Sequence, residues 1–163
     1  MIFLFLSSSL YHFFKKVENE NSIWRKLDHI AIFFMIAGNY TPVSYLLLDG
    51  RWKWSIIIAQ WILVLGGIFF KFFYLKIPRY LYTMIYLAMG WIGIIAIRQL
   101  FMVMNKSEIL FLILGGLSYT VGAFFYIIKK PKIKNGFGFH EIFHLFVLLG
   151  AFFHYLLIYS IML

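Results

Sequence analysis

The chain of 163 residues is 63% hydrophobic and 22% aromatic, with 13% charged residues and a net charge of +9. A soluble domain carries roughly 25% charge and about half apolar residues. Composition therefore excludes an ordinary soluble globule, a disordered chain and, with no cysteine, a disulfide scaffold. The basic residues sit in short gaps between apolar runs, which points to orientation across a bilayer rather than to nucleic acid.

The opening run, Met1–Phe14, makes only about 21 Å of helix at 1.5 Å per residue, against a hydrocarbon core of about 30 Å. It reads as the end of a helix whose beginning is missing, or as a re-entrant piece. It lacks the basic start and small-residue cleavage site of a signal peptide, and Lys15-Lys16 follow it. Five longer runs come next: Leu27–Leu48, Trp54–Phe70, Tyr80–Ile97, Ile109–Ile128 and Phe139–Leu163. Each has the length of a spanning helix. The expected fold is all-α: a polytopic transmembrane bundle of five full spans plus a partial N-terminal helix, forming one integral membrane domain over residues 1–163. Pro42, late in the first full span, is expected to kink it. Gly66-Gly67, Gly90, Gly93, Gly115-Gly116 and Gly122 lie inside spans, where small residues let helix backbones approach.

Orientation follows from the gaps. Lys15, Lys16, Arg25, Lys26, Lys71, Lys76, Arg79, Lys129, Lys130, Lys132 and Lys134 fall on one side, and Arg51, Lys53, Arg98 and Lys106 on the other. The positive-inside bias puts the richer side in the cytoplasm and the C-terminus outside, with the plasma membrane as the expected location.

Ionisable groups within spans are costly and are functional candidates by default. His12 closes the first fragment, Asp28 and His29 open the next helix, and His140 and His144 open the last. All lie near the same membrane face. His140 and His144 are four residues apart and share a helix face. With His12 they supply the three protein ligands of an open zinc site, whose fourth position takes water. Imidazoles without thiols also suit iron, copper or nickel. Asp28 has the right depth to orient or deprotonate the water. His29 points about 100° away from Asp28 around the helix and reads as a packing residue. His154 lies about 15 Å deeper than His144, and a buried, hydrogen-bonded role is expected for it.

The string from His140 to His144 also fits H-E-x-x-H, in which Glu141 would be the general base of a metalloprotease. Leu48-Asp49-Gly50 resembles the Leu-Asp-Gly element of site-2 proteases. The order of the two elements is reversed, however, and Asp49 falls on the opposite membrane face. Glu141 therefore reads as coincidental, and Asp49-Gly50 as a turn.

Several of these residues carry a family resemblance. Ser8-Ser9-Leu10-Tyr11-His12, Leu27-Asp28-His29 leading through Gly38-Asn39-Tyr40-Thr41-Pro42, Gly90-Trp91, Tyr119 to Tyr126, and His140-Glu141-Ile142-Phe143-His144-Leu145-Phe146 are similar to the hemolysin III family. That family is grouped with the progestin and adipoQ receptors, adiponectin receptors among them. The resemblance implies a seven-helix bundle with zinc held by His12, His140 and His144, and with Ser8 and Asp28 contacting the zinc-bound water. Because the wider superfamily includes alkaline ceramidases, it also implies hydrolysis of a membrane lipid amide. A receptor or a membrane-perturbing, haemolytic protein with structural zinc is the alternative. Family members have a complete helix ahead of the Ser8–His12 helix, so a truncated product, a late start or a fragment is expected here.

The orientation has a direct test. Lys132→Cys should react with an impermeant thiol reagent only after intact cells are opened, and labelling from outside would reverse the assignment.

Overall fold

A computed structural model describes residues 1–14, 22–73, 78–131 and 138–163. Its helices in chain order are α1 (Ile2–Phe14), α2 (Ile23–Leu47), α3 (Gly50–Phe73), α4 (Arg79–Trp91), a 3-10 stretch (Ile92–Ala96), α5 (Ile97–Val103), α6 (Lys106–Ile128) and α7 (Phe139–Met162). Five segments are long and apolar enough to cross a membrane, α4, the 3-10 stretch and α5 together making one of them; α1 is shorter. The protein is an all-α integral membrane bundle. Of the basic residues counted for orientation, Lys15, Lys16, Lys76, Lys132 and Lys134 lie outside the described residues.

Local chemistry moves several boundaries beyond the apolar runs. The Ser22 side chain accepts from the Arg25 N–H, an N-cap that draws Arg25 and Lys26 into the first turn of α2. Asn105 and Glu108 form a reciprocal capping box that starts α6. The turn expected at Asp49-Gly50 is present, with Gly50 at φ +51°, a left-handed conformation natural to glycine. α2 continues through Pro42 to Leu47. Arg98, expected in a gap, lies within α5.

Contacts between helices fix their directions. Phe3 meets Phe34, Phe34 meets Trp61, and Tyr119 meets His154, as neighbours in sequence run antiparallel. α2 and α7 therefore run the same way, and α2 sits against α1, α3, α4 and α7. Glycine marks some of these approaches. A methyl group at Gly67 would overlap the Phe33 ring, and one at Gly122 would strike Phe146, whereas Gly66, Gly90 and Gly116 face open space.

The 3-10 stretch interrupts a span where no bulk water can satisfy freed backbone groups. Two polar side chains from neighbouring helices do so. Tyr40 donates its hydroxyl proton to Gly90 O at 2.6 Å and accepts from Gly93 N–H at 2.8 Å. Fully buried Gln60 donates to Met89 O at 2.9 Å. Tyr40→Phe leaves a donor and an acceptor unpaired at the break, at a cost of about 1–3 kcal/mol. Its unfolding midpoint in detergent should fall measurably below that of the parent; an unchanged midpoint would show that the break does not depend on this hydroxyl.

Candidate metal centre

The first turn of α7 is held by Glu141, whose Oε2 accepts from the Gly138 N–H at 2.7 Å. Its other oxygen lies 3.5 Å from His140 Nδ1. Glu141 thus has a local structural task, in keeping with the expectation that its fit to a protease motif is coincidental. From this fixed start His140 and His144 project on one face with ring centroids 4.5 Å apart. The last turn of α1 brings in His12, at 5.2 Å from His140 and 5.7 Å from His144.

One ligand nitrogen from each of the three lies within 4.8 Å of the others. Tetrahedral zinc at Zn–N distances of about 2.0–2.1 Å holds its ligand atoms about 3.4 Å apart. Small side-chain rotations close that difference. Three imidazoles without a thiolate fit a borderline divalent metal such as zinc.

Asp28 opens α2 beside this group but is not among the ligand atoms that close within 4.8 Å. Its carboxylate accepts a hydrogen bond from the Ser8 hydroxyl and lies within electrostatic reach of His12, Lys71 and Arg25. Ser8 stands one turn before His12 on α1, so one helix face carries a member of the histidine cluster and the partner of the carboxylate. The structure brings together all five residues expected at the site. Asp49 lies beyond the far end of α2.

Lys71 was missed as a member of this neighbourhood. It is 8% exposed, stacks its ammonium 4.7 Å over the Tyr82 ring and faces Asp28. Its position at the edge of an apolar run reads as an interfacial cation, and nothing in the sequence shows that it turns inward. His29 packs on Tyr82 at 5.7 Å, and its carbonyl accepts from Tyr86 OH at 3.2 Å, in line with a packing role. His154 is half-buried, and its Nδ1 bonds Gly150 O at 3.0 Å, the hydrogen-bonded role expected of it.

From the histidines a cavity of about 360 Å³ runs through the bundle. Ser8, Asp28 and the three histidines line one end, and Leu48 and Leu100 the other.

The family model described as "Haemolysin-III related" matches residues 1–155. The chain belongs to the hemolysin III family. It is 40% identical over 151 residues to the Hemolysin-3 homolog of Bacillus subtilis, covering 93% of this chain and 68% of that protein. With Hemolysin-3 of Bacillus cereus it shares 36% identity, covering 93% of this chain and 66% of the relative. An adiponectin receptor protein of Drosophila melanogaster is 26% identical over 82% of this chain and 34% of its own length. No solved structure matches. The chain therefore spans about two thirds of the bacterial hemolysin III relatives named here.

The geometry makes a stoichiometric expectation for this hemolysin III protein. Purified in detergent, it should carry about one divalent metal per chain, the load of a single three-imidazole site. The double variant His140→Ala, His144→Ala should carry none, by elemental analysis. Full metal content in that variant would refute the ligand set.

Proposed function

We propose that this protein is a zinc-dependent hydrolase of a membrane lipid amide, with zinc held by His12, His140 and His144. The observation that carries the reading is the arrangement at one end of the cavity. Three imidazoles converge, a carboxylate stands beside them without joining them, and the space they face continues along apolar walls that suit an acyl chain. A structural zinc site is usually closed by four protein ligands, whereas a catalytic one keeps a position open; three histidines with Asp28 set apart favour the open kind.

Zinc bound there would supply a Lewis acid that acidifies water and polarises the amide carbonyl. Asp28 accepts a proton from the attacking water and returns it to the departing nitrogen, acting as general base and then as general acid. Amide and water thus yield a carboxylic acid and an amine, with no other reactant. The Ser8 hydroxyl, donating to Asp28, orients the carboxylate during both transfers. His12, His140 and His144 hold the ligand positions, and the apolar cavity wall keeps bulk water from the chain. We also take this end of the bundle to face the cytoplasm, supported by the basic residues on the same side of the membrane.

The name of the Bacillus cereus relative, Hemolysin-3, favours a second reading, a membrane-perturbing protein whose metal is structural. Turnover separates the two. The metal-loaded chain should release fatty acid from ceramide-like amides in liposomes. Asp28→Ala should keep its zinc and lose about 10²–10⁴ in rate, the usual contribution of a general base. Ser8→Ala should lose less, because the carboxylate remains. Unchanged turnover in Asp28→Ala would overturn the mechanism, and no amide cleavage by the parent would put the membrane-perturbing reading first.

A further inference from the structure

Among the polar side chains that line the cavity away from the three histidines, Asn39 and His154 are of interest. Asn39 is on α2, eleven residues beyond Asp28, and His154 is on α7, ten beyond His144. Both helices run the same way, so at 1.5 Å per residue each lies about 15 Å farther along the bundle. Contacts between helices put the two at one level. Tyr119 of α6 reaches Met35 of α2 and packs against both His154 and Gly150 of α7. One turn beyond Asn39 and His154, Val43 and Leu157 belong to a single apolar cluster. Asn39 and His154 therefore occupy a polar level between apolar layers, and both line the cavity.

Their hydrogen-bonding capacity is defined. His154 Nδ1 lies 3.0 Å from Gly150 O. A carbonyl oxygen only accepts, so Nδ1 carries the proton and Nε2 is left as an acceptor. The ring is held in place by Gly115, where a methyl group would overlap it. No hydrogen bond among the described residues engages the Asn39 side-chain amide, which offers two donors and an acceptor. Polar groups at mid-membrane depth are costly unless they have a partner. An acceptor on one wall and a donor on the other match a group that both donates and accepts, which is a hydroxyl.

We infer that Asn39 and His154 form a second polar subsite in the cavity, which binds a hydroxyl carried well down the chain of an amphiphile whose head lies at the three histidines. His154 Nε2 accepts the hydroxyl proton, and the Asn39 amide donates to the hydroxyl oxygen. The inference rests on the reading of the cavity as an acyl-chain site and adds a selectivity to it.

The test compares ricinoleate with oleate, the same chain without the hydroxyl, by displacement of a fluorescent fatty acid from the purified full chain in nanodiscs. Ricinoleate should bind about tenfold more tightly, the worth of one or two net hydrogen bonds. In the double variant Asn39→Leu, His154→Phe, which keeps the branched and ring shapes of the two side chains, that preference should vanish while oleate binds at least as tightly as to the parent. Oleate affinity thus reports that the variant is folded. Equal or weaker binding of ricinoleate to the parent, or a preference that survives in the double variant, overturns the subsite. If neither acid binds the parent, the acyl-chain reading fails and the subsite fails with it.

Discussion

Hydrocarbon offers the backbone no hydrogen-bond partner, and the rest of this bundle follows from that constraint. It makes each long apolar run a helix and leaves one exception, the 3-10 stretch Ile92–Ala96. The exception is tolerated because Tyr40 and Gln60 satisfy the carbonyls and N–H it frees. Those bonds join α2 and α3 to the third span, made of α4, the 3-10 stretch and α5, at set heights. They also fix how α2 is rotated, and α2 carries Asp28 and Asn39. A repair to the backbone in one span thus orients cavity-lining side chains on another.

The second determinant is direction. Successive spans reverse, so the end of α1 and the starts of α2 and α7 share one end of the bundle. Packing of α6 on α7 then sets the rotation of α7. Phe146 fills the space at Gly122, His154 that at Gly115, and Tyr119 that at Gly150. With α7 held in this way and capped by Glu141, His140 and His144 have little choice but to face His12. The electrostatics of the site come from the same convergence. Asp28 meets Ser8 from α1 and Lys71 from α3, and Lys71 is itself stacked on Tyr82 of α4.

The cavity that results carries ionisable groups at one end, and its walls are mostly apolar, with Asn39 and His154 among the polar side chains set into them. That arrangement suits an amphiphile better than a water-soluble substrate, since a soluble molecule would leave the apolar walls unmatched. On the proposed reading its ionisable groups divide the work: metal ligation for the three histidines, proton transfer for Asp28, and recognition along the chain for His154.

The sequence by itself determined the number and approximate position of the spans, the short first helix, the turn at Asp49-Gly50 and the shared depth of His12, Asp28, His140 and His144. These follow from run lengths, from where charge interrupts them and from the reversal of successive spans, all of which are one-dimensional. Boundaries shifted where helices ran past the apolar runs: the Ser22 cap drew in Arg25 and Lys26, and α5 took in Arg98. Only the tertiary structure decided which side chains face one another: Ser8 to Asp28, Lys71 inward beneath Tyr82, Tyr40 across to Gly90 and Gly93, and Asn39 level with His154. The physical reason is that a membrane helix is apolar on its lipid face and on its buried face alike. Hydrophobic periodicity therefore does not reveal its rotation, which packing against neighbouring helices sets.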